Sequence, residues 1–489
     1  MGSEVMGAEH SRAPIVESLR SFVERDQAPF YSPGHKGGRT LDPWLRDNIA
    51  AVDLNNLPDT DTLHCPEGPI LAAEQLIADA WGVPQSFVMV QGSTGGNIAV
   101  ALTALRPGEQ VLVARNAHKS VLAGLVQVGA RPVWLEPRWD ADFGVAHGLD
   151  VAVVEKALAD TEARALWVLH PTYYGTTGDI AALAGLCRDR GVHLLVDGAH
   201  SPHFAFHPEL PTPAERFGAA ATVQSIHKVL SGLSQAAVLH VDTSQLDEAS
   251  VRRSLQLIQT TSPHFAIMAS IDLARRQMMT DGRALLDSAL SRAREAAEKL
   301  ARIPGLTVLR PEHLAGAGTG LHQLDETKLL IGVSGLDADA REILARLNSV
   351  HGVQPELAGT GHVLCISTIG NTDTDFDRLT TAFAEVSAHV GRRRGEAGGT
   401  LTSDLLAVRP EVVLTPREAF FAPAETVALT DAAGRIAAEA ITPYPPGIPL
   451  VMPGERLGTD VIDLLMALRA AGNPISASDP TLGSVKAVR

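Results

Sequence analysis

The chain has 489 residues, of which 45% are hydrophobic and 20% charged, and its formal net charge is −15. This composition excludes a disordered chain and predicts two or three folded domains, and the acidic balance argues against a nucleic-acid partner. The three cysteines, Cys65, Cys187 and Cys365, are too far apart for a disulfide framework or a metal site. No apolar stretch is long enough to cross a membrane and the first residues do not resemble a secretory signal, so we expect a cytoplasmic protein without a membrane partner.

Predicted secondary structure begins with an N-terminal segment, residues 1–50, which contains a short helix and a Pro/Gly-rich loop. Residues 51–302 then alternate short apolar strands with helices and end in a long helix. The predicted strands are Phe87–Val90, Gln110–Val113, Arg131–Leu135, Ala165–Leu169, His193–Val196, Ala221–Gln224 and Ala236–Val241. This alternation predicts a large domain with a mostly parallel sheet covered by helices on both faces.

The rest of the chain has a different pattern. Residues 303–395 predict a smaller α/β domain with an antiparallel sheet, and a linker rich in Gly and Arg follows at 391–399. Residues 396–489 predict a C-terminal domain with a final helix and a loose tail beyond Asn473. The predicted fold class is therefore α/β, with one large domain and smaller C-terminal domains.

A lysine follows one of the predicted buried strands, in Ser225-Ile226-His227-Lys228. Lysine is rarely buried without a functional reason. An amine in an apolar site loses its proton easily and forms a Schiff base with an aldehyde. Taken alone, a surface lysine at a strand end is the commoner interpretation.

An aspartate ends the preceding strand, in Leu195-Val196-Asp197-Gly198-Ala199-His200. Ligands of open α/β sheets bind at this edge, where a carboxylate can pair with the nitrogen of a protonated pyridine ring. The simpler alternative is that Asp197 caps the turn that follows.

A loop of small residues, Gly92-Ser93-Thr94-Gly95-Gly96, joins the first of these strands to a helix. Such a loop lets the backbone approach a phosphate at a helix N-terminus, although an ordinary strand-to-helix turn is the alternative. His118 opens another helix and can stack on a pyridine ring or be purely structural. In combination, the loop, Asp197 and Lys228 predict an enzyme that uses pyridoxal 5′-phosphate (PLP), with Lys228 as the cofactor lysine.

Longer motifs along the chain resemble the Orn/Lys/Arg decarboxylase family. They are Pro33-Gly34-His35-Lys36-Gly37, Gly92-Ser93-Thr94, His118-Lys119-Ser120, Ser225-Ile226-His227-Lys228, Leu233-Ser234-Gln235-Ala236, Thr260-Thr261-Ser262-Pro263-His264, Pro443-Tyr444-Pro445-Pro446-Gly447-Ile448-Pro449 and Pro453-Gly454-Glu455. The resemblance implies a fold type I PLP-dependent transferase domain. It also implies decarboxylation of a small-molecule substrate, a basic L-amino acid (arginine, lysine or ornithine), to the amine and CO2.

The same resemblance implies a role for each residue around the cofactor ring. Lys228 forms the Schiff base with PLP, and Asp197 pairs with the pyridine nitrogen. Ala199 packs beneath the ring and His118 stacks above it. Lys228 or His200 is the expected donor of the proton that replaces CO2 at Cα.

The resemblance further assigns the phosphate to a set of small and polar residues, which are Ser93, Thr94, Gly95, Ser225 and His227. Thr260 is expected to reach the phosphate of a neighbouring subunit. Active sites in the family form between subunits, so the resemblance implies a homodimer or a higher homo-oligomer.

The sequence departs from the family pattern at two positions near the substrate. Gly198 stands where short family members have an acidic residue, and Tyr174 stands where larger members have an aspartate. The identity of the amino acid therefore stays open. The acidic group that binds the far end of its side chain is expected either in the C-terminal part or from the partner subunit, and the candidates in the C-terminal part are Glu418, Glu425, Glu439 and Glu455.

Two other classes of function compete with basic amino-acid decarboxylation. One is another PLP reaction on the same fold, either aminotransfer or decarboxylation of a non-standard amino acid. The other is a non-catalytic regulatory homologue. Intact Lys228, Asp197 and His118 argue against the regulatory homologue, because a binding module has no need of that set.

Overall fold

The structure of the protein, a computed structural model, describes residues 10, 12–359, 361–393, 410–443, 449–470 and 474–489. Part of the predicted linker and residues 444–448 of the Pro-rich motif lie outside the described residues. No helix within these ranges combines the length and the hydrophobicity needed to span a bilayer.

The large domain and the segment before it alternate strands with helices, as the sequence predicts. The strands are β1 (Ala28–Phe30), β2 (Gln85–Met89), β3 (Gln110–Ala114), β4 (Arg131–Leu135), β5 (Trp139–Asp140), β6 (Val145–Ala146), β7 (Ala165–Leu169), β8 (Thr176–Thr177), β9 (His193–Asp197), β10 (Ala221–Ser225) and β11 (Ala237–Val241). The helices are α1 (Pro14–Val23), α2 (Pro43–Asn48), α3 (Pro69–Trp81), α4 (Gly92–Ala104), α5 (Lys119–Val128), α6 (Val151–Asp160), α7 (Ile180–Arg190), α8 (Ile226–Val229), α9 (Glu248–Ile258) and α10 (Phe265–Ala301).

A seven-stranded sheet in the order β2-β11-β10-β9-β7-β3-β4 forms the centre of the large domain. Its strands are parallel except β11, which runs antiparallel to β10 and to β2. Apolar clusters cover both faces, which explains why the strands are nearly continuous apolar runs and not alternating ones. The predicted α/β class with a mostly parallel sheet is confirmed.

Helix α4 packs unusually close to this sheet because Gly96 has no side chain. A Cβ atom at Gly96 would lie 2.6 Å from Val223 Cγ1 and 2.7 Å from Met89 Cε. Such distances are too short for carbon atoms, so a larger residue would push the helix outwards. The close approach places the N-terminus of α4, at Gly92, directly at the carboxyl end of β2.

The smaller α/β domain follows α10, as predicted, and has an antiparallel sheet in the order β12-β14-β17-β16. Its elements are β12 (Thr307–Val308), β13 (Gln323–Leu324), β14 (Lys328–Gly332), α11 (Ala340–Ser349), β15 (Val353–Pro355), β16 (Leu357–Ala358), β17 (His362–Ile366) and α12 (Asp373–Val390). Strand β1 pairs in parallel with β15, and β8 pairs with β13. These two pairings tie the N-terminal segment and the large domain to the smaller domain.

The C-terminal part has a hydrophobic core of its own, built around α14. Its elements are α13 (Pro416–Phe421), β18 (Ala424–Ala428), β19 (Thr442–Pro443), α14 (Thr459–Ala470), β20 (Ile475–Ser476) and β21 (Ser484–Val488). The prediction of a loose tail beyond Asn473 is wrong, since β21 pairs with β18 along its whole length. The side chains of Val485 and Ala487 are buried on one face of β21, and their packing holds this short strand in position.

A buried ion pair joins the C-terminal part to the large domain. Arg115, which follows β3, donates hydrogen bonds from Nη1 and Nη2 to the two carboxylate oxygens of Glu455, at 2.8 and 2.9 Å. Arg115 Nη2 also donates to the Leu450 carbonyl at 2.8 Å, and Glu455 accepts from the Met452 N–H. The Glu455 side chain is 1% exposed, so water contributes little to this contact.

Glu455→Gln is expected to lower the free energy of unfolding by about 3 kcal/mol, because the Arg115 guanidinium then stays buried without its counter-charge. Denaturant unfolding followed by circular dichroism measures this effect. The matched control is Glu425→Gln, which breaks the exposed pair with Arg435 and is expected to cost less than about 1 kcal/mol. Equal losses from the two substitutions would contradict a special role for the buried pair.

Candidate active site

The predicted site residues meet at one edge of the seven-stranded sheet. Helix α4 begins at Gly92 just after β2, Asp197 ends β9, and Ser225 ends β10 directly before α8. Lys228 lies in α8. Because β2, β9 and β10 run in the same direction, their carboxyl ends bring these groups to the same cleft.

The N-terminus of α4 and two hydroxyls form a pocket for an anion. Ser93 Oγ and Ser225 Oγ are both buried and lie 2.6 Å apart. In the first turn of α4 the Gly92 N–H donates to the Gln235 carbonyl and the Gly95 N–H to the Gln91 carbonyl, at 3.0 and 3.3 Å. The N–H groups of Ser93 and Thr94, between them, are too early in the helix to bind a carbonyl of their own helix. Hydroxyls beside a helix N-terminus are the chemistry that binds a phosphate.

Two further predicted phosphate residues lie beside this pocket in different environments. Thr94 is exposed in the first turn of α4. The ring of His227 is half-buried, with Nδ1 3.0 Å from the Ala236 carbonyl oxygen. This contact orients the ring at the start of α8.

The carboxylate of Asp197 is fixed by two donors. Its Oδ2 accepts a hydrogen bond from Asn97 Nδ2 at 2.9 Å, and its Oδ1 accepts from the Ala199 N–H at 3.1 Å. Asp197 is only 4% exposed, so these donors replace water and leave lone pairs of a charged carboxylate for a further partner. A protonated pyridine nitrogen is such a partner.

His118 belongs to the same hydrogen-bond network as Asp197. Its Nδ1 lies 2.7 Å from Ser120 Oγ, which accepts from the same Asn97 side chain at 2.9 Å. Burial lowers the pKa of His118, although the nearby Asp197 carboxylate opposes this effect. A neutral imidazole at this position can stack on an aromatic ring.

Lys228 carries an amine that is mostly shielded from water. Its Nζ lies 3.1 Å from His200 Nε2. Burial lowers the pKa of Lys228, and the carboxylates of Asp197 and Glu356 oppose this shift. An amine with a lowered pKa is the nucleophile that condenses with an aldehyde.

Two residues of the site, Lys328 and Glu356, were not predicted from the sequence. Lys328 is 1% exposed, and its Nζ lies 2.9 Å from His200 Nδ1, on the side of the imidazole away from Lys228. Glu356 accepts hydrogen bonds from the Tyr173 hydroxyl and from the Ser32 N–H. The one signal in the sequence is that Lys328 opens an apolar strand, where a lysine is unexpected.

Some of the predicted site residues do not lie beside Lys228 and its neighbours in the same chain. Thr260 lies in the surface segment between α9 and α10, where its carbonyl is 3.0 Å from His64 Nε2. The four acidic candidates of the C-terminal part each bind another partner. These pairs are Glu418 with Thr415, Glu425 with Arg435, Glu439 with Ser478 and Glu455 with Arg115.

The residues present fit PLP by the chemistry of their side chains. Lys228 offers an amine to the aldehyde, and Asp197 offers a carboxylate to the pyridine nitrogen. Ser93, Ser225 and the α4 N-terminus offer hydroxyls and N–H groups to the phosphate. No cluster of side chains in the described ranges is suited to hold a metal ion.

Comparison with known proteins gives matches along nearly the whole chain. Residues 13–375 match the family model described as Orn/Lys/Arg decarboxylase, major domain, and residues 399–476 match the model for the C-terminal domain of the same family. Arginine decarboxylase of Bacillus subtilis (strain 168) is 32% identical over 482 residues, which cover 97% of this chain and 98% of that protein.

Solved structures share the fold. The crystal structure of lysine decarboxylase from Francisella novicida superimposes with a TM-score of 0.79 at 21% identity, over 91% of this chain and 75% of that one. Ureidoglycine-glyoxylate aminotransferase from Bacillus subtilis has a TM-score of 0.57 at 12% identity, over 76% of this chain and 96% of that one. The family match and the full-length relative agree with the residues assembled around Lys228, and the chain belongs to the Orn/Lys/Arg decarboxylase family.

Proposed function

We propose that this protein binds PLP at Lys228 and decarboxylates a basic L-amino acid, with arginine as the first candidate. One observation carries the proposal: the Lys228 amine, the fixed Asp197 carboxylate and the Ser93–Ser225 hydroxyl pair converge at one sheet edge. Arginine comes first because the Bacillus subtilis relative, matched over nearly the full length of both chains, is an arginine decarboxylase. Lysine is second, because the structural relative from Francisella novicida is a lysine decarboxylase.

The residues of the cleft have distinct tasks in this reaction. When bound, PLP supplies a conjugated electron sink for the electron pair of the bond between Cα and the carboxylate. Asp197, held by Asn97 and the Ala199 N–H, keeps a proton on the pyridine nitrogen. His118 stacks on the ring. Ser93, Thr94, Gly95, Ser225 and His227 hold the phosphate.

Loss of CO2 must be balanced by a proton at Cα of the product amine. Lys228 and His200 lie side by side in the cleft, and both carry exchangeable protons. We assign the donor to this pair. Tyr173 packs its ring edge-to-face on His200, with centroids 4.9 Å apart, and so restricts the orientation of the imidazole.

Three arginines of the smaller domain that already pair with carboxylates are less available for the task that aminotransfer requires. An aminotransferase needs an arginine to hold the α-carboxylate of its substrate, whereas a decarboxylase gains from leaving that group less neutralised. Three arginines of this domain are committed to carboxylates, in the pairs Arg310 with Glu312, Arg346 with Glu342 and Arg378 with Asp26.

A homodimer with shared active sites is part of the proposal. Leu54 and Leu57 are exposed apolar side chains close to Thr260, because Asn56 Nδ2 donates to the neighbouring Thr261 carbonyl at 2.9 Å. A second copy that covers these leucines would lie beside Thr260, and Thr260 would then reach the phosphate in the active site of that second copy.

A cytoplasmic location, expected from the sequence, stays a prediction.

Incubation of the PLP-loaded protein with arginine, lysine and ornithine in turn is expected to yield agmatine fastest, with an equal amount of CO2. Chromatography of the amines and trapping of the gas measure the two products. Lys228→Ala is expected to abolish both products and the visible absorbance of the bound cofactor. The matched control is Lys156→Ala, which removes an exposed lysine and is expected to change neither.

Absence of amine and CO2 with all three substrates, in a protein that holds PLP, would overturn the choice of a basic substrate. Absence of PLP binding at Lys228 would overturn the proposal as a whole.

The structure explains one departure from the family pattern. A Cβ atom at Gly198 would lie 2.6 Å from Ser201 Oγ and 2.8 Å from Thr222 Cγ2. An acidic side chain at this position therefore does not fit beside the present Ser201 and Thr222. Because Gly198 lies between Asp197 and Ala199, any displacement of its backbone moves the carboxylate that holds the pyridine nitrogen.

Gly198→Ala is expected to weaken PLP binding about tenfold, since overpacking of about 1–3 kcal/mol is relieved by moving Asp197. Addition of Ser201→Gly should restore part of the affinity by removing the nearer contact. Titration of the apo-protein with PLP measures both effects. Gly185→Ala is the matched control, because a Cβ at Gly185 meets only Arg188 Nη2 at 3.8 Å. Unchanged affinity in Gly198→Ala would contradict the steric explanation.

A further inference from the structure

The imidazole of His200 lies between the amines of two lysines. Lys228 Nζ is 3.1 Å from Nε2, and Lys328 Nζ is 2.9 Å from Nδ1. Both distances are those of hydrogen bonds. His200 is 5% exposed and Lys328 is 1% exposed, so water does not separate the three groups.

The donors and acceptors of this array limit where its protons can be. A neutral imidazole has one N–H donor and one bare nitrogen that accepts, whereas an ammonium group only donates. If both lysines were ammonium ions, one of the two contacts to His200 would join two donors. Burial, and with it the positive charge of Lys328, holds the pKa of His200 well below its usual value, so the ring is neutral. One lysine must therefore be a free amine.

The surroundings decide which lysine keeps its proton. The Asp325 carboxylate, which is 0% exposed, attracts the proton of Lys328 and is itself held by the Thr327 N–H and hydroxyl. Burial acts against that proton and lowers the pKa of Lys328 to about 8, which is still above neutral pH. Lys328 therefore stays charged at neutral pH.

Other titratable groups also face the array. Around Lys228 and His200 these are Asp197, His118, His203, His227 and Glu356, and around Lys328 they are Asp325, Glu356 and Lys36. His203 Nε2 lies 3.1 Å from Asp325 Oδ2, so this histidine adds a second contact to the carboxylate that faces Lys328. The anions nearest Lys228 are Asp197, which accepts from Asn97 and the Ala199 N–H, and Glu356, which accepts from Tyr173 and Ser32.

We propose that Lys328 is a positioning residue: its ammonium group donates a hydrogen bond to His200 Nδ1, fixes the Nε2–H form of the imidazole and thereby holds Lys228 as a free amine. This inference rests on the proposed function, because it concerns the lysine assigned to PLP. The free amine has a lone pair ready for the PLP aldehyde. The C–N bond forms with loss of one water, which carries both amine hydrogens.

Capture of PLP by the apo-protein tests this arrangement. The rate of capture follows the fraction of Lys228 that is free amine, so it rises with pH through the pKa of that group. For the wild type the midpoint is expected well below about 10.4, the ordinary pKa of lysine. Visible absorbance in stopped flow, from about pH 6 to about pH 10, measures the midpoint, and peptide mapping after borohydride reduction confirms Lys228 as the site.

Lys328→Met removes the charge and the donor while it keeps the length of the side chain. The midpoint is expected to rise by about one pH unit or more for two reasons. The positive charge of Lys328 no longer repels the ammonium form of Lys228, and a His200 nitrogen without a hydrogen can accept from that ammonium. Capture below both midpoints then slows about tenfold for each unit. Lys328→Arg keeps a permanent charge and donors and is expected to retain the wild-type midpoint.

The matched control is Lys36→Met, which removes another buried lysine of the same region. Lys36 Nζ donates to the Tyr31 and Ile366 carbonyls and does not contact His200, so its loss is expected to lower stability without moving the midpoint. Circular dichroism establishes that each variant is folded.

An unchanged midpoint in folded Lys328→Met would overturn the role of Lys328. A wild-type midpoint at the ordinary lysine value would overturn it even if the variant fails to fold. Failure of the wild type to capture PLP at Lys228 would instead overturn the proposed function.

Discussion

The cost of keeping lysine side chains away from water is the constraint on which the rest of the active site depends. Lys228, Lys328 and Lys36 all lie in or beside one cleft, and an isolated buried ammonium is strongly unfavourable. The protein meets this cost in three ways. Lys36 donates to backbone carbonyls, and Lys328 lies near the Asp325 carboxylate. Lys228 is hydrogen-bonded to the His200 imidazole.

The two α/β domains contribute different residues to the cleft around Lys228. The large domain supplies Asp197, Ser93 and Lys228 from the ends of its strands, where the positions are set by a rigid sheet. The smaller domain supplies Lys328 from the start of β14 and Glu356 from the residue after β15. The Glu356 carboxylate of the second set raises the pKa of Lys228 in the first, so the contact between the two domains affects the charge of the cleft.

The sequence predicted the large domain well because each of its strands is a continuous apolar run, and the residues after such runs lie at the ligand edge. Lys228 and Asp197 were found in this way. Lys328 and Glu356 were missed because their nearness to His200 depends on how a distant segment folds back, which no local pattern records. Strand β21 was missed for a related reason, since its partner β18 lies before the final helix and the pairing therefore depends on a contact between segments distant in sequence.

The pairing of β1 with β15 has a consequence for biosynthesis. Ala28 leaves the ribosome long before its strand partner Val353, which emerges only after the whole large domain has been made. Strand β1 must wait without its strand partner while the large domain assembles. Gly34, whose N–H donates to the His227 carbonyl and whose carbonyl accepts from Thr368, then connects both domains beside Lys228. A ribosome-bound chain that ends before residue 353 is therefore expected to have its cofactor edge still open.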